Sequence, residues 1–320
     1  MPPIPSNSLY ALFAAAFWGM GDFSGGMSVK SAPSTANPIG AALRTVLFSH
    51  LTSFTILTTL ALTLRQPFPP NTSLAWGITA GVLGGCSLTA FYIALARGSM
   101  GASAAISGLL AAAIPSSVGI LLDGSPGPHR LIGFLIAGIA IWLIAVGPAE
   151  KEARSTILLA TLSGIGFGFY FVAIKYAGAH ASPLWVMASA RTGSISTCAL
   201  TLLFFKLQSA DRRTQPRKNL VIPSEAKDPC ISFLPTPATP IRIPRRMILW
   251  ILSTALFDTS GNLLFVLATR AGRLDIASVL ASLYPAGTIL LAAATLGERP
   301  TPRQITGMAI ATAAVVLITL

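Results

Sequence analysis

The chain has 320 residues, 53% of them hydrophobic and only 10% charged, with a mean hydropathy of +0.70. A soluble domain carries about 25% charged residues, so this composition excludes an ordinary water-facing surface and makes a lipid bilayer the expected solvent. The formal net charge of +12 does not point to nucleic acid, because Lys and Arg lie between apolar runs instead of following one soluble face.

The N-terminus, "MPPIPSNS", has no Lys or Arg ahead of the first apolar run. That run is also long, so it reads as a retained membrane helix and not as a signal peptide. Apolar runs follow near 8–28, 40–64, 73–96, 101–122, 130–147, 155–177, 184–207, 247–269, 274–296 and 304–320. Most approach the ~20 residues that cross the hydrocarbon as helix. Helix is the expected form throughout, because an open strand edge in lipid leaves backbone groups unpaired. Turn signals separate the runs, among them "RQPFPPNT" at 65–72, "DGSPGP" at 123–128 and "GERPTP" at 297–302. The fold class expected is an all-α integral membrane protein with ten transmembrane helices.

The first run holds "FWGMGDFSGG", with Asp22 among glycines. A carboxylate near mid-bilayer costs roughly 2.5–3.5 kcal/mol on insertion scales. Asp22 is therefore expected to face the bundle interior, a water-filled cavity or a cation. Gly21 and Gly25 form a GxxxG pair; Gly77, Gly81 and Gly85 repeat the device in the third run, and Gly164 and Gly168 in the sixth. These glycines read as tight helix packing. The eighth run places Asp258 near its middle and Asn262 on the same face four residues on. Asp22 and Asp258 are candidates for binding a proton or a cationic substrate group, against a structural ion pair with Arg44 or Arg191. Those arginines either snorkel to the interface or bind a substrate carboxylate or one of the two aspartates. Trp18, Tyr170 and Tyr284 lie well inside their runs and are candidate cavity residues. Pro285 is a hinge candidate, because proline frees a backbone carbonyl and kinks a helix.

Residues 208–246 break the pattern with seven prolines and eight Lys or Arg. Such a stretch buries no core and reads as mostly disordered. Its phrase "NLVIPSEAKDP" resembles translated repetitive elements of bacterial genomes, so the stretch reads as an insertion. A contact to anionic lipid or to a partner is the functional alternative.

The chain also repeats itself. Arg44-Thr45 matches Arg191-Thr192 at an offset of 191 − 44 = 147, and Arg97 matches Arg270 at 270 − 97 = 173. "LDGSPGPHRLIG" at 122–133 aligns with "LGERPTPRQITG" at 296–307. Five helices are thus followed by five similar ones, 8–147 and 155–320, the second interrupted by the insertion. An odd number of helices per half inverts the second half in the membrane, giving two inverted five-helix repeats with a site expected near the midplane between them.

With "FWGMGDF", the paired arginines and "LYPAGTILLAAATLGERPTPRQITG" at 283–307, the sequence resembles the EamA type of the drug/metabolite transporter superfamily. The first half departs from that pattern, with Asp123-Gly124 where the second has Gly297-Glu298. The resemblance implies a secondary transporter (permease or exporter) of a small organic metabolite or drug-like solute, working by alternating access in a bacterial inner membrane, with proton coupling as an option. The competing reading is a membrane-embedded enzyme or a non-transporting receptor or scaffold. No Walker A motif, HExxH, CxxC or Cys/His cluster is present, so no enzyme, metal site or cofactor is expected. The expected partners are the lipid bilayer and a small-molecule substrate, with no nucleic acid and with a homodimer left open. Orientation is contested: the charge count across the loops favours termini outside, whereas the resemblance implies termini in the cytoplasm.

Overall fold

The computed structural model describes residues 5–33, 37–98, 100–145, 154–214, 244–297 and 300–319. Every regular element among them is an α-helix. In chain order these are α1 (Ser6–Lys30), α2 (Pro38–Thr63), α3 (Asn71–Arg97), α4 (Met100–Asp123), α5 (Pro128–Ala145), α6 (Arg154–Ala177), α7 (Pro183–Thr214), α8 (Arg245–Ala271), α9 (Leu274–Ala281), α10 (Tyr284–Leu296) and α11 (Pro302–Thr319). Seven spans are long and apolar enough to cross a membrane, taking α9 and α10 together as one, and α5 is a shorter apolar helix. α1 and α7 have the length, at 25 and 32 residues, but fall outside that count. Their interior positions carry polar side chains such as Asp22, Ser24, Arg191 and Ser194.

The apolar runs and the helices agree closely, with two differences. The ninth run is split. Proline at 285 has no N–H to give the Ala281 carbonyl four residues back, and its ring crowds that carbonyl. The chain answers with tighter turns, Leu283 N–H to Leu280 O at 3.3 Å and Ala286 N–H to Leu283 O at 3.1 Å, and α10 restarts with proline in its first turn. Pro115, by contrast, is carried inside α4 without a break. The second difference is that residues 208–214, expected to be disordered, continue α7 as helix. The remainder of the Pro/Lys/Arg-rich stretch, 215–243, lies outside the described residues.

Polarity runs inside out relative to a soluble protein. Leu121, Leu135, Leu200 and Leu249 are among many large apolar side chains on the outer surface, while Asp22, Arg191, Asp258, His50 and a set of serines and threonines are buried. Hydrocarbon outside removes the hydrophobic drive between helices, so close packing of small residues must hold the bundle. α3 shows how. A Cβ at Gly77 would strike the Ser189 side chain, at Gly81 the Ala190 carbonyl, and at Gly85 the Ser194 hydroxyl, all on α7. Gly193 on α7 accepts the Ile78 carbonyl of α3 in return. Gly164 and Gly168 of α6 likewise receive Ser107, Leu110 and Ile114 of α4. The Gly21/Gly25 pair has two different neighbours: Gly21 sits on the Asp258 backbone of α8, and Gly25 accommodates the Tyr92 ring of α3.

The main packing pairs are α1 with α8, α3 with α6 and α7, α5 with α11, α4 with α6, and α2 with α7; α1 and α4 each also pack on α9 and α10. Substituting Gly81→Ala should lower stability by about 1–3 kcal/mol through overpacking against the α7 backbone. Gly138→Ala, where nothing lies within 4 Å of the added carbon, should be neutral or raise stability by up to about 1 kcal/mol through helix propensity. Thermal melts of the two variants in detergent check the pair.

Candidate functional site

A cavity lies between α1, α2, α3, α6, α7, α8 and α10. Of the residues singled out in the sequence, it gathers Trp18, Asp22, Tyr170, Arg191, Asp258, Asn262 and Tyr284. Arg44 is half-buried on α2 and does not line it. Tyr92 does not line it either; its ring fills the space above Gly25. Pro285 follows Tyr284 directly, at the helix break beside the cavity.

An ion pair organises one wall. Arg191 Nη2 donates to Asp258 Oδ2 at 2.5 Å, and both side chains are buried. Arg191 therefore does not snorkel. Its Nη1 meets His50 Nε2 at 2.9 Å and its Nε donates to Ser53 Oγ at 3.0 Å. A guanidinium only donates, so His50 Nε2 must accept. The ring proton then sits on Nδ1, which donates to Ser194 Oγ at 2.6 Å. His50 Nε2 lies 3.6 Å from Asp258 Oδ2, too far for a hydrogen bond. The second carboxylate oxygen, Asp258 Oδ1, accepts from Asn262 Nδ2 at 2.9 Å, and the same amide nitrogen reaches the Asp258 carbonyl at 2.6 Å. Asn262 Oδ1 in turn accepts from the Tyr170 hydroxyl at 2.5 Å. Thr259 closes the set by donating to Ser53 Oγ at 2.6 Å. One continuous network thus joins α2, α6, α7 and α8.

Asp22 is different. It is buried, with 8% of its surface accessible, and lines the cavity. Among the described residues no hydrogen bond or ion pair reaches its carboxylate. Tyr284 shares the condition: it is 4% exposed and its hydroxyl has no hydrogen-bond partner. The Ser107 hydroxyl, nearby on α4, accepts from Ser163 at 3.0 Å. Trp18, one turn before Asp22, stacks on Phe171 with centroids 5.1 Å apart and planes 8° from parallel. Gly261 of α8 gives the indole its seat, since a Cβ there would come within 2.6 Å of it.

His50, Ser53, Ser194 and Thr259 escaped the reading of the sequence. His50 carried a usable signal, a titratable side chain in the middle of an apolar run. The three hydroxyl residues carried none, because Ser and Thr are ordinary in membrane helices.

One end of the bundle is tied by charge. Lys175 Nζ at the end of α6 pairs with Asp123 Oδ2 at the end of α4, at 3.1 Å. Arg273, capping α9, donates to the Asp123 carbonyl at 3.0 Å and the Gly124 carbonyl at 2.5 Å while pairing with Asp275 at 2.7 Å. This is the end that holds the start of α1, where Asn7 packs against Gly272. At the opposite end the described residues show no ion pair. α11 reaches α5 there through Gln304 Nε2 and the Ile144 carbonyl, at 3.5 Å.

A model of the EamA-like transporter family matches residues 229–320. The matched stretch includes α8 with Asp258 and the broken α9–α10 pair. A solved crystal structure of a protein at 17% sequence identity superposes with a TM-score of 0.62, covering 98% of this chain and 96% of that one, so the fold is shared over the full length. No curated protein matches in sequence.

Removing one member of the Arg191–Asp258 pair leaves the other buried and uncompensated. Arg191→Met or Asp258→Leu alone should destabilise by about 3–5 kcal/mol, and the double substitution by less than the sum. A double-mutant cycle on denaturant unfolding in detergent measures the coupling.

Proposed function

We propose that the protein is a secondary transporter that moves a small organic solute across a bacterial inner membrane by alternating access of two five-helix halves. The observation that carries this reading is the buried, charged cavity enclosed by helices from both halves. Transporter sites lie at such repeat interfaces, next to interrupted helices, and α9–α10 is interrupted beside Tyr284.

The packing pattern supports the repeat. Let α1–α5 exchange with α6, α7, α8, α9–α10 and α11. The α1–α8 pair then becomes α6–α3, and α4–α6 becomes the packing of α9–α10 on α1. α2–α7, α5–α11 and α4 with α9–α10 map onto themselves. All of these pairs are present. A two-fold relation between halves demands such an exchange, and chance packing does not.

The Lys175–Asp123 pair and the Arg273 hydrogen bonds to the Asp123 and Gly124 carbonyls are the contacts that must part if the α1 end opens. Lys175 and Asp123 are 24% and 34% exposed, and pairs so exposed are worth about 0–1 kcal/mol. They bias one state without locking it. Leu88 lines the cavity and serves as a reporter once the native cysteines are replaced. Leu88→Cys should react with membrane-impermeant thiol reagents from both faces, in a ratio that reflects the populations. Adding Asp123→Asn should raise reactivity from the α1 end by about two- to fivefold. Reactivity from a single face, unchanged by Asp123→Asn, would overturn alternating access.

A further inference from the structure

We infer that the cavity takes a protonated organic amine without a carboxylate, its ammonium group on Asp22 and Tyr284 and its apolar part against Trp18 and Phe171. The inference rests on the transporter reading of the same cavity and adds the substrate class.

Charge count is the first observation. The ionisable groups in the walls with a settled partner are Arg191 and Asp258, which cancel. His50 adds nothing, since Nε2 accepts from Arg191 and the ring is neutral. Asp22 remains, buried and without a partner among the described residues. An uncompensated carboxylate in a low-dielectric site is costly, and a ligand carrying one positive charge relieves that cost.

The second observation is the pattern of hydrogen bonding left open. Asp22 offers acceptor oxygens, and the Tyr284 hydroxyl is buried with its bonding capacity unused. An ammonium group has several donors and no acceptor, which complements this pair. Third, the adjoining wall is aromatic: Trp18 and Phe171 are stacked at 5.1 Å, with Phe265 packed behind both. Aromatic faces accept cations and aryl groups alike.

The fourth observation excludes zwitterions. A carboxylate on the ligand needs a cationic partner, and Arg191 is the cation in the wall. Its Nε, Nη1 and Nη2 already serve Ser53, His50 and Asp258. Recruiting it for a ligand would strip Asp258 of its counter-charge, so an amino acid should bind less well than the amine that lacks its carboxylate.

Four compounds with one aryl group test this directly: phenethylamine, phenylalanine, 3-phenylpropionate and 2-phenylethanol. Binding is measured by calorimetry on the full-length protein in detergent, and flux by counterflow in proteoliposomes. Phenethylamine should bind saturably, about tenfold or more tighter than the other three. Asp22→Asn should weaken it by about ten- to hundredfold, the range for hydrogen bonds to a charged group. Asp22→Glu should retain binding. If Asp22→Asn does not fold, Tyr284→Phe and Trp18→Leu supply the readout, each expected to weaken the amine by about three- to tenfold. Failure of phenethylamine to bind the wild type, undiminished binding to Asp22→Asn, or tighter binding of phenylalanine or phenylpropionate would overturn the inference. Flux of phenylalanine without flux of the amine would overturn the substrate class and leave transport standing. Amine binding with no flux, and with Leu88→Cys reactive from one face only, would do the reverse.

Discussion

The central hydrogen-bond network of this bundle is arranged around one buried ion pair. Arg191 and Asp258 lie on different helices, and either charge alone at mid-bilayer would cost a few kcal/mol. Together they are tolerable only if the remaining donors and acceptors are also matched. The neighbouring residues do that matching. Ser53 and His50 take the rest of the guanidinium, and Asn262 takes the free carboxylate oxygen. Tyr170 then takes the far end of Asn262, and Ser194 takes the far nitrogen of His50. Each of these residues fixes the position of a helix, so the electrostatic constraint becomes a geometric one. The cavity is the space left beside a network that cannot be compressed without unpairing a charge.

If the two five-helix stretches are related as proposed, they contribute unequally to this network. The offset of 173 that relates Arg97 to Arg270 places the counterpart of Asp258 at 258 − 173 = 85, which is Gly85. The counterpart of Arg191 is Arg44. One half therefore has arginine and aspartate, the other arginine and glycine. Without its acid, Arg44 has no electrostatic reason to turn inward, and it stays outside the cavity. Gly85 and its neighbour Gly84 line the cavity instead, leaving room for Ser194 and for the Tyr170 ring. The α3 wall is bare of charge, while the charged groups of the cavity lie on α1, α7 and α8.

Much of this was legible in the sequence because lipid imposes a simple code. Apolar length gave the helices to within a few residues, and the cost of Asp22 and Asp258 in hydrocarbon marked both as interior. Asn262 was placed correctly by helical spacing alone. Harder to read was which arginine would meet which acid. Arg44 and Arg191 look alike in their local sequence, and the difference lies in what a distant helix presents to each. His50 stood out as a titratable group in an apolar run, but its partner Ser194 is 144 residues away, so the sequence did not show what it would meet. The split of the ninth run was half-readable. Pro285 announced a disturbance, but Pro115 does not break α4, so proline alone does not decide between a bend and a break.

The short α9 has a mechanical consequence. At eight residues it is about 12 Å long. It is joined to α10 through Ser282 and Leu283, with tight turns in place of a continuous helical ladder. Arg273 stands at its first end, one residue after the Gly272 that closes α8, and Tyr284 stands just past its other end. Tilting the helix by about 10° moves that first end by about 2 Å for that length, enough to pull Arg273 off the Asp123 and Gly124 carbonyls. A tilt of this short helix would thus link the Arg273 contacts at the rim to the position of Tyr284 in the cavity wall.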